Sequence, residues 1–116
     1  MNSLEKGDAF EETTYKFLRQ QIEEDQLWAR KECCQIFSKK GCYSKERGSD
    51  IIFDVSIEVT LHGESRYSIL VLIECKNYSN SVTVNDVEEF WAKIQQVAGV
   101  NVREIFASAN AFQRSV

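Results

Sequence analysis

The stretch YSILVLIECKNY, residues 67–78, decides the fold because it joins an apolar run to two opposite charges. The five residues from Ile69 to Ile73 are all aliphatic, and a short run that is apolar on both faces predicts a central strand covered on both sides. Glu74 and Lys76 follow, separated by one residue. Because side chains alternate along a strand, we expect both charges on the same face, at the end of the strand.

The preceding segment, residues 51–61, alternates strictly and predicts a strand with one core face. The predicted core face carries Ile51, Phe53, Val55, Ile57, Val59 and Leu61, and the other face carries Ile52, Asp54, Ser56, Glu58 and Thr60. A turn over 62–66 leads to the strand predicted over 67–77. If this hairpin turns symmetrically about Glu64, residues whose numbers sum to about 128 face each other, and Asp54 stands opposite Glu74.

The rest of the chain predicts two helices and two more strands. Apolar residues at helical spacing predict a helix over 7–24, and a second helix is expected from its cap Asn85, with Glu88 as capping-box partner, to the stop signal Gly99. We assign strands to the Cys34-Gln-Ile-Phe segment, where a continued helix is the alternative, and to residues 102–108. The predicted fold class is therefore α/β, in the order αβββαβ, with helices packed on a four-stranded mixed sheet.

Composition and length exclude several classes of protein. With 116 residues, 43% of them hydrophobic, the chain suits one globular domain spanning residues 1–116. No apolar run is long enough to span a bilayer and no signal segment opens the chain, so we expect a cytoplasmic protein. Cys33, Cys34 and Cys42 form no CxxC pair, which argues for reduced thiols rather than a zinc site. The net charge of −4 argues against a globally basic nucleic-acid binder, although carboxylates that hold a cation count as negative only without it.

Two carboxylates that face each other at the end of an apolar sheet repel, and something must offset that repulsion. Lys76 could neutralise one of them, but Mg²⁺ would do better, because it favours one or two protein carboxylates and completes its shell with water and phosphate oxygens. The backbone carbonyl of Cys75 is a further candidate ligand. A metal on Asp54 and Glu74, with Lys76 orienting water or stabilising charge, would suit phosphodiester hydrolysis. The alternative is an ordinary surface pair of Glu74 and Lys76 with no function.

With these residues the sequence resembles the PD-(D/E)xK nuclease superfamily, and within it the restriction-endonuclease-like proteins related to the Mrr group. Asp54 in Ile-Phe-Asp-Val matches the family's aspartate, and Glu74-Cys-Lys76 matches its glutamate-x-lysine strand. Residues 82–90 are similar to the start of the following helix, and residues 105–112 to the next strand and turn. Phe53 stands where the name-giving proline would be. Relatives usually continue past the position of Val116, so we expect either a domain truncated at its C-terminus or one that lacks part of its sheet cover.

The resemblance implies a restriction-endonuclease-like core, a Mg²⁺-dependent nuclease in which Mn²⁺ could substitute, and DNA as the usual substrate. It also implies a further glutamate on the first helix, for which Glu11 is the candidate. Helical geometry favours Glu11, which shares a face with Leu18, over Glu12, which aligns with Lys16 as a solvated pair. The alternative, equally weighted, is that Glu11 completes a capping box with Asp8.

Further residues are candidates for binding rather than chemistry. A basic segment could grip phosphates and stack a base, with a solvated loop as the alternative; it comprises Lys39, Lys40, Tyr43, Lys45 and Arg47. Glu58 could replace a ligand, although burial beside Leu70 or pairing elsewhere is favoured. Lys93 and Gln96 could reach the site, but a helix pair of Lys93 with Glu89 is the default.

We therefore predict a metal-dependent DNA endonuclease with catalytic residues Asp54, Glu74, Lys76 and Glu11. The alternative is a catalytically silent module that binds nucleic acid or protein and keeps the nuclease fold. Relatives that cut both strands often pair, so a homodimer is included among the expected partners.

Overall fold

The computed structural model describes residues 3–61, 63–76, 83–97 and 101–108. Within these residues the chain forms two α-helices and six strands, and a single 3₁₀ turn over Lys31–Cys33 precedes the first strand. The elements in chain order are α1 (Ser3–Glu23), β1 (Cys34–Ser38), β2 (Gly41–Ser44), β3 (Ser49–Ile52), β4 (Val55–Val59), β5 (Ile69–Lys76), α2 (Val84–Gln95) and β6 (Asn101–Ser108).

Four strands form one mixed sheet in the order β1, β4, β5, β6. Strand β4 is antiparallel to both β1 and β5, whereas β5 and β6 are parallel. The predicted α/β class with a mixed sheet is therefore confirmed, and β5 is an inner strand whose residues 70–75 are all buried. The predicted order αβββαβ is incomplete, because β2 and β3 form a separate two-stranded hairpin.

The strand predicted over 51–61 is in fact two strands, β3 and β4, separated by Phe53 and Asp54. The pairing of β1 with β4 continues in the same register into the pairing of β2 with β3. The four strands are therefore two parts of one long hairpin, which bends between the two pairs. At the bend Lys39 takes a φ of +53°, which an extended strand does not allow, and its N–H donates to the carbonyl of Asp54 at 3.0 Å. The hydrophobic alternation continues across this bend, which is why the sequence did not reveal it.

The bend sends the predicted core face to both sides of the sheet. Val55, Ile57 and Val59 join the cluster beneath α1, which includes Ile22. The other cluster contains Ile51 and Phe53 from beyond the bend, Leu70 and Leu72 from β5, and Phe90 and Ile94 from α2. The rings of Phe53 and Phe90 meet edge to face with their centroids 6.3 Å apart. Leu61, also assigned to the core face, is half exposed, because β4 ends at Val59.

The hairpin of β4 and β5 has the predicted register, since Val55 pairs with Ile73 and Val59 with Ile69. The sides of β5 alternate as expected: Val71, Ile73 and Cys75 pack towards α1, whereas Leu70 and Leu72 pack towards α2. Glu74 therefore extends from the α2 side of the sheet, and the C-terminal end of β5 lies beside the bend.

Both helices begin at other residues than predicted. Helix α1 starts at Ser3, so Asp8 and Glu11 lie inside it and do not form its cap. Helix α2 is capped by Thr83 rather than Asn85: Thr83 Oγ1 accepts the N–H of Asp86, and the Asp86 side chain accepts the N–H of Thr83. The predicted stop at Gly99 lies outside the described residues. None of the helices within the described part of the chain is long and apolar enough to cross a membrane.

Candidate active site

Asp54 lies at the bend of the long hairpin, where its side chain is half-buried. Its Oδ2 accepts the backbone N–H of Cys75 at 2.8 Å, so the carboxylate is tied to the end of β5. Its carboxyl group is also within hydrogen-bonding reach of the carboxyl groups of Glu74 and Glu11. The predicted approach of Asp54 to Glu74 across the hairpin is therefore present in the structure.

Glu74 is a buried carboxyl group with only 5% of its surface exposed. Burial, followed by the neighbouring Asp54, raises the pKa of Glu74 to about 7, and the ammonium group of Lys93 opposes that shift. Nζ of Lys93 lies 3.2 Å from Oε2 of Glu74. Near neutral pH, Glu74 can therefore either carry a proton or be ionised and paired with Lys93.

Glu11 reaches the same site from α1. Burial and then the contact with Asp54 raise the pKa of Glu11, while Lys39, with its Nζ 3.1 Å from Oε2, lowers it. Glu12 instead forms the predicted pair with Lys16, at 3.0 Å on the exposed face of the helix. The helix face proposed for Glu11 is therefore confirmed, and the capping-box alternative is wrong because α1 begins at Ser3.

An open cleft of about 200 Å³ adjoins Glu11. Half of its six lining residues are acidic; the lining comprises Asp8, Glu11, Glu12, Tyr15, Ser38 and Lys39. The cleft places Glu11 at a surface that water and ions reach, whereas Glu74 lies deeper.

Lys76 ends β5 as a half-buried residue, one alternation beyond Glu74, and pairs with Ser108 of β6. Cys75 between them turns its side chain to the other side of the sheet, into the cluster beneath α1. Burial raises the pKa of the Cys75 thiol to about 11, so the thiol stays neutral. Of the groups on Cys75, this leaves the carbonyl as the candidate ligand.

Sequence reasoning named Lys93 as a residue that could reach the site, but it did not predict which carboxylate Lys93 or Lys39 would pair with. Lys93 pairs with Glu74, and the default pairing with Glu89 is wrong, because Glu89 accepts instead from the amide of Asn85 at 3.1 Å. The position of Lys93 off the apolar stripe of α2 was a usable signal. Which carboxylate it meets depends on how α2 packs on the sheet.

The five predicted nucleic-acid-binding residues do not form one uniform basic patch. Lys39 pairs with Glu11, and Lys40 pairs with Glu58 at 2.6 Å while lying over the ring of Phe37. The favoured expectation that Glu58 pairs elsewhere is thereby confirmed.

The rest of the basic segment lies on the hairpin of β2 and β3. Tyr43 is 61% exposed, and Lys45 is exposed at the turn. Arg47 donates to Oε1 of Gln96 at 2.5 Å, which ties the turn to α2. The exposed ring of Tyr43 is the feature that suits base stacking.

The donor set fits a hard divalent cation in its chemistry, since Asp54 and Glu74 offer two contacting carboxylates and Mg²⁺ needs only one or two from protein. Among the described residues, however, no three His, Cys, Asp or Glu side chains form a group that could hold a metal ion by themselves. A cation here would therefore take its remaining oxygens from water, backbone or substrate.

Comparison with known proteins identifies the family. A family model described as a restriction endonuclease, the Mrr catalytic domain, matches residues 7–115. No curated protein and no solved structure gives a significant match. The family match covers nearly the whole chain, including Glu11, the bend at Asp54 and the end of β5. The chain therefore belongs to the restriction endonuclease family of the Mrr catalytic domain.

Proposed function

We propose that this protein is a metal-dependent endonuclease that hydrolyses phosphodiester bonds of DNA. The observation that carries the proposal is the contact of Asp54, at the bend between β3 and β4, with Glu11 of α1 and Glu74 of β5. The pKa values of Glu11 and Glu74 are both raised, and clustered carboxyl groups of this kind are costly for stability and typical of functional sites. Membership of the restriction endonuclease family supports the same reaction.

Asp54 and Glu74 would hold Mg²⁺, or Mn²⁺ in its place, with the carbonyl of Cys75 as a further oxygen ligand. When bound, the ion would supply Lewis-acid polarisation of the phosphate and a more acidic water. The N–H of Cys75 fixes the orientation of the Asp54 carboxylate at 2.8 Å, so that part of the site is already ordered. Lys76 would orient the attacking water or stabilise charge on the phosphate, and Glu11 would act as a supporting acidic group.

DNA would approach over the hairpin of β2 and β3 and the neighbouring lysines. Tyr43 would stack on a base, and Lys39, Lys40, Lys45 and Arg47 would contact phosphates. Lys39 and Lys40 would have to exchange their carboxylate partners for phosphate oxygens. We further propose that the protein acts in the cytoplasm and that two copies pair to cut both strands.

A plasmid-nicking assay tests this function. Wild type is expected to convert supercoiled plasmid to open-circle and linear forms with Mg²⁺ and to do nothing in EDTA. Asp54→Ala and Lys76→Ala should abolish cleavage, whereas Lys16→Ala, which changes only an exposed helix pair, should leave it intact.

Two outcomes reject the proposal. Cleavage that survives both Asp54→Ala and Lys76→Ala would come from another source than this site. Binding of DNA by the wild type, with no cleavage of any DNA or RNA substrate at any divalent ion concentration, would establish the catalytically silent module instead.

A further inference from the structure

The side chain of Lys93 occupies the position of a counter-ion at the proposed metal site. Its Nζ lies 3.2 Å from Oε2 of Glu74, and the two residues come from different elements, α2 and β5. The Glu74 side chain is 7% exposed and that of Lys93 is 34% exposed. The ammonium group therefore reaches inward from solvent to a carboxylate that lies within the protein.

This pair differs from the ion pairs along the exposed face of α1. In the pair of Lys16 with Glu12, the side chains are 71% and 65% exposed, and such pairs contribute little because water and salt screen them. The carboxylate of Glu74 is screened much less, and Asp54 is in contact with it. A positive charge at Lys93 consequently has a strong effect on which other cations Glu74 accepts.

We propose that Lys93 is the internal counter-ion of this site: it neutralises Glu74 while metal is absent, and its charge opposes the binding of a divalent cation. Lys93 thereby sets the cation concentration at which the site fills. The inference rests on the proposed function, because it takes Glu74 to be a metal ligand. Lys93 acts through Glu74 and is a positioning residue.

Two opposite effects follow from removing the charge. Without metal, Lys93→Met leaves Glu74 and Asp54 in contact without the lysine's compensation, so the melting temperature should fall. With metal, the incoming ion meets no ammonium group. The concentration of Mg²⁺ at which the melting temperature begins to rise should therefore fall roughly tenfold. A lysine that served packing alone would lower the melting temperature equally with and without Mg²⁺.

Thermal melting of the full chain at pH 8, from EDTA through micromolar to millimolar MgCl₂, measures both effects without any nuclease assay. Lys93→Arg keeps the charge and should retain the wild-type metal dependence. Lys16→Met, a matched loss of a lysine from an exposed pair, should leave that dependence unchanged. In a Glu74→Gln background the metal-dependent effect of Lys93→Met should disappear. If Lys93→Met does not fold, Lys93→Gln, which is also uncharged, replaces it with the same expectation.

The proposal is overturned if wild type gains no stability from Mg²⁺, or if the uncharged variant needs as much Mg²⁺ as wild type or more. It is also overturned if the effect persists in the Glu74→Gln background. Its failure is distinct from failure of the proposed function. A protein that shows the expected metal shifts and never nicks plasmid keeps the counter-ion inference and loses the nuclease assignment.

Discussion

The backbone N–H of Cys75 donates to Oδ2 of Asp54 at 2.8 Å and so joins the bend of the long hairpin to the end of β5. The donor belongs to a buried residue, and the acceptor is also in contact with two other carboxyl groups. The carboxylate of Asp54 thus satisfies a buried backbone donor, while the negative charges of its neighbours repel it.

Substitutions of Asp54 should separate these two roles. Asp54→Asn keeps an oxygen acceptor for Cys75 and removes a negative charge beside Glu74, whereas Asp54→Ala leaves the N–H without its partner. We expect the alanine variant to be less stable than the asparagine variant by about 1–3 kcal/mol, the cost of an unsatisfied buried donor. Urea unfolding in EDTA at pH 8 measures the difference. Equal stabilities would mean that the hydrogen bond contributes nothing.

The raised pKa of Glu74 predicts a specific pH dependence in metal-free protein. The folded state holds the proton up to about pH 7, whereas the unfolded chain releases it near the ordinary value of 4.5. Between these values the folded state binds more protons, so stability should fall as pH rises, by about 3 kcal/mol in total. In Glu74→Gln this loss should vanish, leaving a variant that is more stable than wild type at pH 8 and inactive in nicking.

Urea unfolding of both proteins from pH 4 to pH 8 in EDTA measures this dependence. Glu12→Gln serves as the control, since Glu12 lies in an exposed pair on α1. Parallel curves for wild type and Glu74→Gln would contradict the prediction.

Ser56 offers a test of core polarity away from the site. Its side chain is 1% exposed and its hydroxyl has no hydrogen-bond partner. Ser56→Ala should therefore raise the free energy of unfolding by about 1 kcal/mol. Ser44 is equally buried, but its Oγ accepts the N–H of Arg47, so Ser44→Ala should not be stabilising. A loss of stability in Ser56→Ala would indicate a hydrogen bond through bound water.

Phe53 anchors the bend against α2. It is fully buried and meets Phe90 edge to face, so Phe53→Ala should cost about 3–5 kcal/mol. Because Asp54 follows directly, we expect nicking activity to fall further than in an equally destabilised core variant such as Ile22→Ala, assayed well below both melting temperatures. Equal activity per folded molecule in the two variants would show that the bend does not position Asp54.

Sequence reasoning predicted that Asp54 and Glu74 approach each other, but it missed parts of the strands and helices that position them. The apolar run before Glu74 predicted β5, and the turn predicted the register that brings Asp54 near Glu74. The bend at Asp54 was missed because the alternation of apolar residues continues unchanged where the chain changes direction. The bend depends instead on the backbone conformation of Lys39. The cap of α2 was missed because two capping boxes overlap, and Thr83 with Asp86 forms the one in use.

Contacts between distant elements were the other limit. The partner of Lys93 could not be predicted because several carboxylates lay within reach on a helix or the sheet, and only the packing of α2 selects Glu74. The roles of Glu11, Asp54, Glu74 and Lys76 in catalysis stay predictions for the nicking assay.

The shared register on both sides of the bend has a consequence for engineering. The hairpin of β2 and β3 departs from the main sheet beside Lys39 and Asp54, and Ile51 and Arg47 hold it against α2. A matched residue pair added to both arms would therefore keep the register at Lys39 and Asp54, the proposed catalytic corner. If the hairpin binds DNA and the corner cuts it, as proposed, recognition and cleavage could then be varied independently, and a grafted hairpin tip would direct the same reaction to a new target.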